Sequence, residues 1–486
     1  MSQKSEKQIR AEKLAKLIKL GLNPYPSQPK EEFITIPEAR GQGEGTKLAV
    51  AGRILSIRSH GKATFLDLTA AESKLQIYCK EDVLGEDYQL IPLLDTGDYL
   101  WTKGELFTTH SQELTLKASQ LQILSKALTP LPDNWQGLSD VETRYRQRAL
   151  DFKINDAARH ILHARANLLK AMRRFFDERD FLEVQTPILQ PLAGGATAKP
   201  FITRYNILEA DFYLRIAPEL YLKRLIAGGF ERVYEIGPSF RNEGLSHMHN
   251  PEFTTCEFYW AYKTYRDLME VTKEMIKKLA QAVTGTKQIP YQNQTIDLSA
   301  EWAVRSYSDL IEEKTGINIQ REKTLTELKA AVKKAGLELE RKDYSVWQEL
   351  VDEIFKKTTR PKIIQPTFVI DYPVALSPLA KKREDKPELV QQFQLILAGG
   401  LELVKAYTEL NDPTEQETRF KEQMKLRDEG WDESQVIDKN YLEAMRVGMP
   451  PVAGWGMGID RLLMILTNNY SIKEVIPFPT LRPKSN

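Results

Sequence analysis

The sequence predicts an α+β protein in which a small five-stranded barrel precedes a larger domain of strands and amphipathic helices. Three observations carry this expectation. Five short β-like runs, "LAVAGRILSIRSH", "KATFLDLTA", "SKLQIYCK", "DYLWTKGELFTTH" and "ELTLKASQLQIL", follow one another with turn residues between them. That number suits a closed barrel of the OB type better than a sandwich, which usually takes about seven strands. Further on, "RHILHARANLLKAMRRFFDERDF" places apolar side chains at 161/162, 168/169, 172 and 175/176, the spacing of an amphipathic helix. Strand-like text returns after position 360, in "IIQPTFVIDYPVALSPLAKK" and "GWGMGIDRLLMILTN".

Taken in order, residues 1–30 read as a helical extension, 31–127 as the barrel and 128–160 as a Pro/Gly-punctuated linker. Residues 161–486 form the second domain, with a mainly helical, Lys/Glu-rich insertion at about 285–360. The extension carries six basic residues, Lys4, Lys7, Arg10, Lys13, Lys16 and Lys19, against Glu6 and Glu12. Such a face serves equally as a nucleic-acid contact or as a solvated helix surface. "FLEVQTPIL" reads as a strand broken by Pro187, which belongs at a sheet edge or bulge and so at a boundary.

Composition excludes several classes. The chain of 486 residues is 42% hydrophobic and 28% charged, enough for a sizeable core and typical of globular proteins. It lacks an apolar run of about 18 residues, and its polar start lacks a signal peptide's apolar centre, so the expected location is the cytoplasm, with no membrane partner. Cys79 and Cys256 fall in separate domains and form no disulfide framework. The pairs His160/His163 and His247/His249 lack the extra ligands of a structural metal site. A net charge of +1 leaves any nucleic-acid binding to local patches.

The densest chemistry lies in "RNEGLSHMHNPEFTTCEFYW" (241–260), a long charged loop between two strand-like runs where a simple turn would have sufficed. No P-loop or Rossmann fingerprint is present. Gly454, Gly456 and Gly458 alternate along a strand and bare one of its faces, and Arg461 opens the helix that follows. Arg241 beside Glu243, with Phe253 on the returning strand, complements them as an ATP site with an arginine at each end of the triphosphate. Helix–sheet packing, a surface ion pair and a core phenylalanine explain each feature taken singly. Glu219, Glu257, Glu402 and Glu409 form an acidic set suited to Mg²⁺ or a cationic substrate. Glu402 and Glu409 are seven residues apart and share a strand face only if a bulge intervenes. In the barrel, Arg53, Phe65 and Gln76 offer a platform for an oligonucleotide, although a phenylalanine filling the barrel core is the more common arrangement.

Over nearly its whole length the chain resembles the class II lysyl-tRNA synthetases. "DFLEVQTPIL" is similar to the class's first motif, "FRNEGLSHMHNPEFTTCEFYWAY" to its second and "GWGMGIDRLLMILTN" to its third. "GGATAKPF", "YLRIAPELYLKRL", "QPTFVIDYPVALSPLAK" and "AYTELNDP" resemble stretches particular to the lysine family, and the barrel resembles its anticodon-binding domain. The resemblance implies a catalytic domain on an antiparallel sheet flanked by helices, and a homodimer through the motif 1 region around Pro187. It implies that L-lysine and ATP react to lysyl-adenylate, with lysine then passed to the 3′ end of tRNA(Lys). It assigns ATP to Arg241, Glu243, His249, Asn250, Phe253, Glu402 and Arg461, and Mg²⁺ to Glu402. Lysine falls to Gly195, Glu219, Arg241, Glu257, Tyr259, Lys405, Tyr407 and Glu409, and the anticodon to Arg53, Phe65, Gln76 and Glu113, which moves Phe65 out of the core. Arg241 and Arg461 are the expected catalytic pair.

Three positions depart from the family pattern. Lys405 stands where the family has Asn, Gln394 where a second metal-side glutamate is usual, and Met248 where many bacterial members carry Arg. A cation at Lys405 is expected to strengthen binding of the lysine carboxylate. A relative that lysylates a protein would lack the barrel, and aspartyl or asparaginyl specificity is disfavoured by the acidic pocket. A catalytically inactive homologue is opposed by the intact arginines and acids.

Overall fold

The computed structural model describes residues 4–70, 72–130, 138, 140–196, 198–340, 343–428 and 437–483. Residues 1–3 of the extension, 131–137 and 139 of the expected linker and Thr197 of "GGATAKPF" lie outside them. The chain divides into two compact units, Met1–Ser139 and Asp140–Asn486.

In the first unit β1 (Lys47–His60), β2 (Ala63–Ala70), β3 (Ser73–Lys80), β4 (Tyr99–Thr108) and β5 (Leu114–Ser125) close into a barrel in the order β1-β2-β3-β5-β4. Alternation along the strands sends Leu66, Leu68, Leu75, Ile77 and Leu116 into the core. Phe65, one position out of phase with Leu66, stands half-buried on the outer face. Cys79 is buried in this core and free. Helix α1 (Glu6–Lys19) starts from a capping box between Ser5 and Gln8 and buries Leu17 and Arg10. Arg10 Nη1 donates to the carbonyls of Thr96 (2.9 Å) and Ala127 (3.2 Å), and Lys13 pairs with Asp95 (2.6 Å). Two of the six basic side chains therefore dock the helix on the barrel.

Residues 140–154, assigned above to the linker, form α2 (Val141–Arg146) and α3 (Arg148–Ile154) of the second unit. Tyr145 donates to Glu474 (2.9 Å) and Arg148 to the Pro477 carbonyl (3.0 Å). The charged run that reads as linker is charged because it makes these bonds. Helix α4 (Asp156–Asp177) buries Ile161, Leu168, Met172, Phe175 and Phe176, the stripe its spacing foretold.

Among the described residues, the main sheet contains β6 (Leu182–Glu183), β7 (Arg232–Phe240), β8 (Glu252–Ala261), β9 (Ala303–Ser306), β10 (Thr367–Ile370), β11 (Gln392–Leu397), β12 (Leu401–Thr408) and β13 (Val452–Gly458). Their spatial order is β9-β10-β11-β12-β13-β8-β7-β6. The six central strands are antiparallel, as expected, while β6 and β9 join the two edges in parallel. The insertion begins differently from expectation. Residues 288–291 and 294–297 pair as a hairpin and 303–306 is the edge strand β9, because the Lys/Glu-rich helices that follow dominate the composition of the segment. One sheet face carries Cys256, Phe258, Trp455, Met457, Val404 and Ala406 into a core shared with α4 and with α6 (Tyr265–Thr284). The other face is the floor of a cavity. Helix α5 (Glu219–Ala227) and, from the insertion, α7 (Trp347–Ile354) contribute side chains to its walls. No helix among the described residues is long and apolar enough to cross a membrane.

Candidate active site

Strand register builds the floor. In β8 the side chains of Phe253, Glu257 and Tyr259 share one face, and in β12 Lys405 and Tyr407 share one, with Glu409 next in line. Between them lies β13, where Gly456 pairs with both Glu257 and Lys405, and Gly454 with both Tyr259 and Tyr407. The alternating glycines therefore open a gap between two functional rows. A Cβ on Gly454 would overlap a Glu409 carboxylate oxygen and the Tyr259 ring. Gly458 leads into α8 (Ile459–Leu466), which carries Arg461.

The bulge demanded by the spacing of Glu402 and Glu409 is present. Leu395 pairs with Val404 but Ile396 with Glu402, so Leu403 is the extra residue and the strand face switches there. Both glutamates consequently line the same cavity, whose volume is about 630 Å³. Gly195, Glu219, Arg241, Glu243, His249, Asn250, Phe253, Glu257, Tyr259, Lys405, Tyr407 and Arg461 line it too. Every residue expected at the ATP or lysine site is thus brought together.

At one end the cavity is acidic and buried. Lys223, one turn after Glu219 on α5, donates to the Glu219 carboxylate at 2.5 Å and forms an ion pair with Glu409. Tyr407 donates to Glu219 at 2.6 Å, and Tyr259 OH stands 3.5 Å from Glu257. Gly195, at φ +86°, lies against Glu219, and a Cβ there would press on the Glu219 Cβ at 3.0 Å. Both Glu409 oxygens are buried and accept no well-directed hydrogen bond. Burial holds Glu409 well above the usual carboxylate range despite Lys223. Burial first, then the charges of Glu219 and Glu235, push half-buried Glu257 up to about 8. Glu235 itself is matched by buried Arg215. Glu219 and Glu409 thus share one resident cation, Lys223, while Glu257, among the described residues, has no cation at ion-pair distance.

The other end is cationic. Arg241 leaves β7 as the loop begins, its amide donating to the Pro251 carbonyl at 2.8 Å. Its guanidinium lies over the Phe253 ring, 5.2 Å from the centroid, with a buried Nε that has no partner. Arg461 Nη1 donates to the Glu402 carbonyl at 2.9 Å. Burial, before the neighbouring Arg241, lowers its guanidinium. His249, hydrogen-bonded to Ser246 at 2.9 Å, is lowered to about 4 by desolvation, Arg461 and Arg241, although much of its surface is open. The loop is anchored along its length, beginning with the Asn242 amide on the Lys199 carbonyl at 2.7 Å. His247 stacks on Tyr470 (centroids 4.5 Å apart), and Asn250 accepts from the Thr480 amide (3.2 Å). Among the described residues no three His, Cys, Asp or Glu side chains come together as a metal-ligand set. Glu402 lies beside Arg461, and Gln394, accepting from Tyr372 at 2.7 Å, lines the same cavity. One carboxylate fits Mg²⁺, which takes one or two and completes its shell with phosphate oxygens and water.

On the barrel, Phe65, Gln76 and Glu113 lie close together on the outer face. Thr115 bridges Gln76 (2.9 Å) and the Glu113 carbonyl (3.1 Å), while Phe65 packs against Tyr78, 5.0 Å between centroids. Arg53 turns away from them, donating to the Gly97 carbonyl (2.9 Å) beneath Tyr99. Sequence reasoning passed over Tyr78, Lys223 and Arg215. Tyr78 was signalled by its strand phase with Gln76.

Two family models match the chain: tRNA synthetases class II (D, K and N) over residues 140–482, and the OB-fold nucleic acid binding domain over 48–124. A lysine–tRNA ligase of Moorella thermoacetica is 44% identical over 479 residues, covering 98% of this chain and 97% of the relative. One from Roseiflexus castenholzii is 46% identical over 488 residues (98% and 99%), and one from Aquifex aeolicus 47% over 459 (94% and 75%).

Proposed function

The chain belongs to the lysine–tRNA ligases of the class II synthetases, and from that premise we propose that its cavity activates L-lysine with ATP and passes it to tRNA(Lys). The observation that carries this reading is the buried carboxylate pocket with one cation too few, set beside a cationic floor. The lysine ε-ammonium enters among Glu257, Tyr259 and Glu409, its α-amino group meets Gly195 and Glu219, and Arg241 takes its carboxylate. Lys405 and Tyr407 complete that wall. The adenine stacks on Phe253, with Glu243, His249 and Asn250 along the nucleotide and Arg461 at its far end.

A lysine carboxylate oxygen attacks the α-phosphorus, the bond to the bridging oxygen breaks and pyrophosphate leaves. Arg241 and Arg461 stabilise charge that spreads over the phosphate oxygens, so no side chain needs to act as nucleophile. Glu402 would hold Mg²⁺, which supplies further charge neutralisation on the phosphates when bound. A ribose hydroxyl at the tRNA 3′ end then attacks the lysyl carbonyl, loses its proton and displaces AMP. Phe65, Gln76 and Glu113 of the barrel (31–127) read the anticodon, with bases stacking on Phe65, while Arg53 stands apart from them on the Gly97 carbonyl. Exposed Leu182, Ile188, Leu189 and Ile202 around Pro187 support a homodimer through that region, and the cytoplasm is where such a ligase would meet its tRNA.

Amino-acid-dependent ATP–pyrophosphate exchange over the twenty amino acids, followed by tRNA charging, tests the reading. Exchange with lysine alone and charging of tRNA(Lys) are expected. Exchange with another amino acid, or with none, would mean that Lys405 and Gln394 have changed the site.

A further inference from the structure

We infer that Arg360 is a third guanidinium for the nucleotide, binding the distal phosphates of ATP and the pyrophosphate they become. The inference rests on the reading of the cavity as an ATP site and adds a binding residue from the insertion.

Arg360 lines the cavity with Arg461, Glu402, Met248 and His249. Its positive charge reaches the site's centre, since it contributes to the lowering of both Arg461 and His249. Arg360 is half-buried, and among the described residues its guanidinium has no hydrogen-bond or ion-pair partner. Several other arginines of this unit are tied to carboxylates: Arg148 to Asp151, Arg165 to Asp460, Arg215 to Glu235 and Arg419 to Glu415. A partly desolvated guanidinium that no carboxylate pairs directly is unfavourable, and its planar fork matches phosphate oxygens.

The backbone holds this arginine in place. A π-helical turn over Phe355–Thr359 gives way to a 3₁₀ turn at Arg360–Lys362, and π turns are rare and often mark functional sites. The amides of Ala398, Gly399 and Gly400 donate to the carbonyls of Ile364 (2.8 Å) and Ile363 (3.0 and 3.2 Å). Gly400, at φ +95°, admits the Arg360 carbonyl where a Cβ would meet it at 2.7 Å. The turn between β11 and β12 that precedes Glu402 is therefore clamped to the segment that presents Arg360. Met248 leaves that position of the loop uncharged, and Arg360 supplies a cation from the insertion.

The test is equilibrium binding of ATP, AMP and pyrophosphate, with Mg²⁺ present, to the full-length protein and to Arg360→Ala and Arg360→Gln. ATP and pyrophosphate should bind about tenfold more weakly to both variants, the scale of one charge-assisted hydrogen bond. AMP should bind as to the wild type, which also shows that the variants are folded. Adding Met248→Arg to Arg360→Ala should restore part of the ATP affinity. Unchanged ATP affinity, or AMP weakened as much as ATP, would overturn the inference and leave the ATP reading standing. Failure of the wild type to bind ATP would overturn both.

Discussion

Glu257 concentrates the chemistry of the pocket in one side chain. With its carboxyl raised to about 8 by burial and neighbouring acids, it holds a proton at pH 7 that an arriving ammonium displaces. Lysine binding should therefore release a proton below pH 8, and affinity should climb as pH rises toward 8 and level off above it. Calorimetry at pH 7 in two buffers of different ionisation enthalpy reads that proton, and a heat that does not depend on the buffer would contradict the account. Gly454 makes a steric claim. Gly454→Ala drives a methyl into Glu409 and Tyr259, so lysine affinity should fall roughly tenfold or more, on the scale of overpacking, while ATP binding persists. The alternating glycines, the paired arginines and the acids were all legible in the sequence because each is a glycine or a charge set within or beside an apolar run. Lys223 was not, since a Glu and a Lys four apart on a helix read as an exposed pair, and only tertiary packing buries them.

At the scale of elements, β12 shows what a pattern can and cannot specify. An odd spacing of Glu402 and Glu409 requires a bulge if both face one cavity, yet nothing in the string marks Leu403 as the extra residue. Its location follows from pairing with β11, a contact between distant residues. The same strand presents Lys405 across Gly456 from Glu257, exposed at the cavity mouth. Lys405→Asn should weaken lysine binding about threefold, the scale of a solvated charge contact with the substrate carboxylate. A sharp rise in affinity would mean that Lys405 instead repels the ε-ammonium. The helices of residues 140–154 and the edge strand β9 escaped sequence reasoning for a common reason. Their partners, Glu474 and β10 among them, lie far along the chain, and local composition outweighed them.

For the whole molecule, each of the two units has its own apolar core, Leu66, Leu68 and Ile77 in the barrel and the sheet-and-helix core in the second. Thermal unfolding should accordingly show two transitions. Saturating lysine and ATP should raise only the catalytic one, by about 2.7 kcal/mol at a hundred times the dissociation constant. Scanning calorimetry with and without ligands checks this, and an equal shift of both transitions would contradict it. A near-neutral net charge leaves any nucleic-acid recognition to local surfaces, and composition alone could not separate Phe65 on the outer face of the barrel from a core phenylalanine. The central claim remains the acidic pocket that waits for a second cation. It is tested most directly by equilibrium binding of L-lysine against L-norleucine, which keeps the chain length and lacks the ammonium. Norleucine should bind at least about a hundredfold more weakly, because it leaves buried carboxylates unpaired. Comparable affinities for the two amino acids would contradict it.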